Sequence, residues 1–285
     1  MAADSAPFAR LLLATEHSEF DAGAERVALA LAKRCGLPLS VVMTIVGNAE
    51  FDSVAPELSA RSDATAAARL NDLRALATAQ GVPLAIQVRR GPEPFREIID
   101  AAVSSSAELI IIRRRGRIGF LANLLIGEMV SKVVAHAPCS VLVNARGATL
   151  WSRRVLVAVD PLAPDLATVA TALRVAIGCV LPLTLICAVD AAGRQPQASR
   201  ALDATLAHAR ALGASADGEV RVGNPHEQII EAIARNGADL VVLGRQGATR
   251  LPRAWIGGVA QKVIGLAECP VLVCVPPQAP VEKSS

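Results

Sequence analysis

The chain has 285 residues, a net charge of +3, and 52% apolar against 19% charged residues. Such a composition excludes a disordered or tail-like chain, and the mild charge gives no ground for a nucleic-acid or membrane-surface partner. The length suits two domains, each with its own core. Aromatic residues are only 2% and tyrosine is absent. The core must therefore be Ala, Leu, Val and Ile, the filling of helices packed on a buried parallel sheet.

The N-terminus, MAADSAPFAR, carries no charged-then-apolar leader. The first predicted strand covers 10–14, a helix 21–34, a strand 39–46 and an Ala-rich helix 61–80. A third strand ends at Gly91, a helix covers 94–104, and a strand covers 109–112 before a last helix and a strand at 140–143. The stretch GATLWSRR interrupts the apolar pattern at 146–153, which divides the chain into 1–148 and 149–285. The same order then repeats: strand 155–159, helix 166–179, strand 183–189, helix 197–212, a strand ending at Gly223, helix 225–236, strand 240–243, a helix from about Val259, and strand 271–275. The most apolar stretch, 175–189, contains Gly178 and Pro182 and is too short to cross a bilayer. It reads as a helix end, a turn and a buried strand, and a cytoplasmic protein is expected.

Strands separated by helices predict an α/β fold of two tandem doubly wound, five-stranded parallel-sheet domains. Residues 47–60 are longer than their counterpart at 190–196; they form a surface loop or a partner contact. Strands 140–143 and 271–275 pair with each other, giving an internal pseudo-dimer, or pair between chains as a homodimer. The cysteines at 35, 139, 179, 187, 269 and 274 show no CxxC or Cys/His spacing and read as small buried apolar residues.

Ligands of open α/β sheets bind beyond the carboxyl ends of strands where the strand order reverses. In the second half those tips are Ala158-Val159-Asp160 and Leu243-Gly244-Arg245-Gln246-Gly247. Asp160 suits a ribose hydroxyl or an adenine amine, though Asp at a strand end is also an ordinary turn residue. Gly257 and Gly258 precede a helix whose free N–H groups form an anion site. Glycine there removes the side-chain bulk that holds a phosphate away.

The pattern Gly244-x-x-Gly247, nine residues, then Gly257 resembles the nucleotide-binding signature of the universal stress protein family. ADLVVLG before it and AQKVIGLAECPVLV after it fit as well, and the layout covers almost the whole chain twice. The resemblance implies a doubly wound five-stranded sheet, dimerisation through the last strand, and ATP or AMP as ligand in some members, with Mg2+ beside ATP an open option. It places adenosine at Val159, Asp160, Ala188, Leu243 and Gly244. Phosphates fall at Gly247, Gly257, Gly258 and Val259, with Arg245 inside the same loop. Two departures stand out: Gly258 replaces the family's Ser or Thr, and Pro161 follows Asp160 without an N–H donor.

The first half departs further. Glu16 stands for Asp160, Arg113 for Gly244, and ten residues separate Gly116 from Gly127. Glu128 falls at the Ser/Thr position, where it would fill the anion site itself. The arginines at 113, 114, 115 and 117 have three readings: pairing with Glu16 and Glu128 in a closed cleft, a solvated loop, or an external anion site. Trp255 reads as core packing. No GxxxxGK[ST] or GxSxG motif occurs, and the repeat is not expected to place a Ser or Cys nucleophile in reach of His17 or His226. The expected function is an adenine-nucleotide sensor acting through the second half on an unknown protein partner. A nucleotide-free tandem scaffold and a slow ATPase are the alternatives.

Overall fold

A computed structural model describes residues 6–47, 56–114, 127–160, 165–246 and 255–275. The first half runs β1 (Leu11–Ala14), α1 (Ala22–Cys35), β2 (Leu39–Val46), α2 (Pro56–Gln80), β3 (Leu84–Gly91), α3 (Pro94–Ser104), β4 (Leu109–Arg113), α4 (Glu128–His136) and β5 (Ser140–Asn144). The second runs β6 (Val155–Ala158), α5 (Leu166–Cys179), β7 (Leu183–Val189), α6 (Gln195–Ala211), β8 (Ala216–Val222), α7 (Pro225–Asn236), β9 (Leu240–Gly244), α8 (Gly258–Leu266) and β10 (Val271–Cys274). One difference from the expected elements is the start of α2. Residues 56–60, read as loop, already belong to the helix, because Pro56 has the fixed φ of a first helical residue and Glu57 favours the positive helix end.

The ten strands form one sheet in the order β3-β2-β1-β4-β5-β10-β9-β6-β7-β8. Every neighbour pair is parallel except β5 with β10, which run antiparallel with Val143, Leu142 and Val141 opposite Val271, Leu272 and Val273. The two last strands therefore pair inside the chain. Each also holds its own half's strand on the other side, so neither has an edge left for a second chain. The outer edges are β3 and β8, both only partly buried and bearing Arg89, Arg90, Glu219 and Arg221. Charged, half-wet edge strands discourage further strand addition.

Alternate residues of the central strands enter two cores. Leu11, Leu13, Leu142 and Leu272 face α1, α2, α5 and α6; Leu12, Val141, Val143, Val271 and Val273 face α3, α4, α7 and α8. Both cores run unbroken across the seam. The 175–189 stretch resolves as expected into the end of α5, a turn and β7. Among the described residues, no helix is long and apolar enough to cross a membrane.

The repeat also exposes a local conflict. Helix α1 ends on Gly36 in the left-handed region, φ 66°, its N–H donating to the carbonyls of Ala32 and Lys33. The equivalent residue after α5 is Val180, at φ 55° and 89% exposed. A β-branched residue there costs about 1–2 kcal/mol of backbone strain, and glycine's greater unfolded-state freedom offsets about 0.4–1 of that relief. Val180→Gly is therefore expected to raise unfolding stability in urea by about 0.5–1 kcal/mol; a loss of stability would show that the Val180 side chain contributes packing.

Candidate functional site

Strand order reverses at β6, whose neighbours are β7 and β9, and a crevice opens at the carboxyl ends of these strands. The cleft holds about 360 Å3 and is lined by Ala158, Val159 and Asp160 at the end of β6, Ala188 and Asp190 at the end of β7, and Leu243 to Gln246 at the end of β9. The start of α8, Gly257 to Ala260, closes one side. Val159, Asp160, Ala188, Leu243, Gly244, Arg245, Gly257, Gly258 and Val259 are thus brought together. Gly247 and Pro161 lie outside the described residues.

Several lining residues were not legible as site residues. Asp165 caps α5, its carboxylate accepting from the Ala167 N–H at 3.0 Å and the Thr168 hydroxyl at 2.6 Å. The Asp165-x-x-Thr168 capping signature before an apolar run was the available signal. Asp190 pairs with Arg194 at 3.2 Å on the rim, while Ile186 and Ile229 provide apolar wall. A Cβ on Gly244 would stand 3.3 Å from Asp165 Oδ2, Thr168 Oγ1 and the Gln246 carbonyl. A side chain at 244 would therefore crowd this wall of the cleft.

The helix terminus differs in one respect from the simple expectation. The Gly257 N–H donates to the Arg245 carbonyl at 2.9 Å, so donors open to an anion begin at Gly258 in the first turn of α8, where no helical carbonyl precedes them. Arg245 lines the cleft, and its guanidinium donates to the Ala135 carbonyl at 3.0 Å. Trp255 is not a core residue: it is 59% exposed, and its carbonyl accepts from Gln246 Nε2 at 3.0 Å. Burial pushes the thiol of Cys187 up to about 11, helped by the Asp160 charge. Burial likewise pushes Cys139 and Cys274 up to about 12 and Cys269 up to about 11, in keeping with inert thiols. Among the described residues, no three His, Cys, Asp or Glu side chains group to hold a metal ion.

The first-half counterpart is filled from within. Arg113, at the place of Gly244, is only 4% exposed; it pairs with Asp21 at 2.8 Å and Glu16 at 3.0 Å and donates to Ser18 Oγ at 2.8 Å. Asp21 holds the cap position of α1 that Asp165 holds in α5, and Glu16 stands where Asp160 stands. Beside them, buried Glu25 accepts from the Thr15 hydroxyl and lies 3.0 Å from His17 Nδ1.

Glu128 takes no part in this closure. Its side chain is 83% exposed and pairs one turn along α4 with Lys132 at 2.9 Å, and that hydrogen bond holds its carboxyl below the usual range. Arg114 leaves the cleft for the other half, and Arg115 and Arg117 lie outside the described residues.

Removing one partner of a buried ion pair strands the other charge. Asp21→Ala is expected to cost about 3–5 kcal/mol in urea unfolding, whereas Asp165→Ala removes a helix cap and costs about 0.5–2 kcal/mol. Equal losses would contradict the assignment of Arg113 as a buried, paired plug.

The universal stress protein family matches residues 7–144 and again 152–275. A universal stress protein of Thermus aquaticus is 33% identical over 142 residues, 47% of this chain and 97% of that protein. One of Methanocaldococcus jannaschii is 43% identical over 60 residues, 21% of this chain, and the matched part spans only 35% of that relative. A universal stress protein structure from Archaeoglobus fulgidus superposes with a TM-score of 0.74 at 21% identity, covering 95% of this chain and 97% of that one. A functionally unknown protein from Pseudomonas aeruginosa gives 0.73 at 20% identity, covering 97% and 95%; at these identities the likeness establishes the fold. With both halves matched and the doubly wound architecture repeated, the chain belongs to the universal stress protein family, as a tandem member.

Proposed function

We propose that the cleft of the second half binds an adenine nucleotide, ATP or AMP, and that the chain works as a nucleotide-responsive regulator. The observation that carries this reading is the contrast at one strand tip: Gly244 leaves a cleft where Arg113 fills its equivalent. The volume of about 360 Å3 falls within the range of small-molecule sites. Ile186, Ala188, Ile229 and Leu243 offer apolar wall for a base, and Asp160 offers a carboxylate for ribose hydroxyls or the adenine amine. The first N–H groups of α8 offer donors for phosphate. Gly258 supplies no hydroxyl, and a lost hydrogen bond to a charged group costs about 1.5–3 kcal/mol, which points to modest affinity. Binding would reach the surface through Gln246 and the exposed Trp255 bonded to it.

A nucleotide-free scaffold is the second reading, favoured by the continuous core that welds the halves together. Calorimetry of the full chain with ATP and AMP separates the two. One site per chain is expected, with Trp255 emission changing on binding and the change absent in Trp255→Phe. Gly244→Arg copies the first-half plug opposite Asp160 and Asp165; it is expected to fold and to lose binding. Arg113→Gly is expected to leave the single site in place. No heat and no thermal shift at millimolar nucleotide would sink the nucleotide reading.

A further inference from the structure

The residues that follow β4 and β9 are both arginines, and each crosses the seam. The antiparallel pairing of β5 with β10 brings the carboxyl end of β4 beside the start of β10, where α8 ends. Arg114 Nη1 lies 3.2, 2.8 and 2.7 Å from the carbonyls of Ile264, Gly265 and Ala267 at that helix end. Its backbone N–H is tied to the Asn144 carbonyl at 2.6 Å, as the Arg245 N–H is tied to Cys274 at 3.2 Å. In the reciprocal direction, Arg245 donates to the Ala135 carbonyl at the end of α4.

The last carbonyls of a helix lack helical partners and carry its partial negative charge, so a guanidinium both satisfies and neutralises them. Helix α8 has nine residues, about 13 Å, and helices this short hold their position only through tertiary contacts. Its carboxyl end is gripped by Arg114 of the first half. Its amino end begins at Gly257, whose N–H is held by the carbonyl of Arg245, and Arg245 is itself anchored on the first half.

We propose that the first half positions the anion-facing helix of the second: Arg114 and Arg245 are positioning residues that hold α8 and its first turn in place across the seam. This rests on the reading of the cleft as a nucleotide site. The structural arm of the test does not depend on it. A helix terminus binds an anion well only if its N–H groups are already aimed, so the half whose own cleft is plugged still contributes to the open one.

The test uses the full chain and the variants Arg114→Gln, Arg245→Gln and Arg245→Lys. The control is Arg26→Gln, which removes a bond from α1 to the Ala148 carbonyl at 2.7 Å without touching α8. In ligand-free protein, amide exchange across 257–261 is expected to rise about fivefold or more in both glutamine variants and to stay within about twofold in the control and in Arg245→Lys, which keeps one donor. In titrations, the ATP dissociation constant is expected to rise about 5- to 30-fold in the glutamine variants while that of adenosine stays within about twofold. Each variant is read separately, so loss of folding in one leaves the other decisive. Unchanged exchange at 257–261, a uniform rise along the chain, or equal losses for ATP and adenosine would overturn the proposal. Wild-type protein that binds neither ligand but shows the exchange pattern would overturn the nucleotide reading and leave the bracing role standing.

Discussion

The antiparallel pairing of β5 with β10 governs the rest of the molecule. Leu142 opposite Leu272 enters one core, while the valines on either side enter the other. Each helical layer therefore continues from one half into the next instead of ending at a boundary. Two domains joined by a loop alone would move relative to one another. Here the side chains of the seam strands and of the helices beside them belong to cores shared by both halves. The linker is drawn in as well: Trp151 is 1% exposed, and Asp239 accepts from the backbone N–H groups of Ser152, Arg153 and Arg154.

On this common frame a single strand-tip position sets opposite chemistry in the two clefts. With glycine at 244, Asp165 and Asp160 border open space. With arginine at 113, the equivalent Asp21 and Glu16 bind a guanidinium supplied by the chain itself. Burying such a charge is costly unless carboxylates and hydroxyls surround it, and Asp21, Glu16 and Ser18 do so. The acids at the first strand tip are thus turned to internal neutralisation of a guanidinium from the same half. The neighbouring Glu25–Thr15–His17 contacts extend this polar group under the strand tip.

Much of this was legible because apolar periodicity and the internal repeat are strong signals. Most strands and helices fall within a residue or two of their expected bounds, and the glycines at 244, 257 and 258 line one crevice. What was not legible depends on side-chain direction. Glu128 occupies a suggestive place in the motif, yet the helix turns its carboxylate toward Lys132. Trp255 looked like core by size alone, yet it is 59% exposed and its carbonyl accepts from Gln246. Asp165 and Asp21, at the starts of α5 and α1, carry no motif that marks them as cleft residues. Arg113 and Arg114 are adjacent and chemically identical, but a strand tip sends successive side chains to opposite sides: one enters the cleft of its own half, and the other crosses to its neighbour.

Covalent joining of the halves has a further consequence. In a dimer of identical chains about a two-fold axis, any substitution appears at both copies of a site. Here the register at the seam still obeys that axis, with 141, 142 and 143 facing 273, 272 and 271, but the two halves carry independent sequences. An arginine can occupy one cleft without occupying the other. The same independence lets glycine hold the left-handed position at 36 while valine holds its equivalent at 180. Tandem linkage thus lets an assembly keep symmetric architecture while one cleft stays open and its counterpart is plugged.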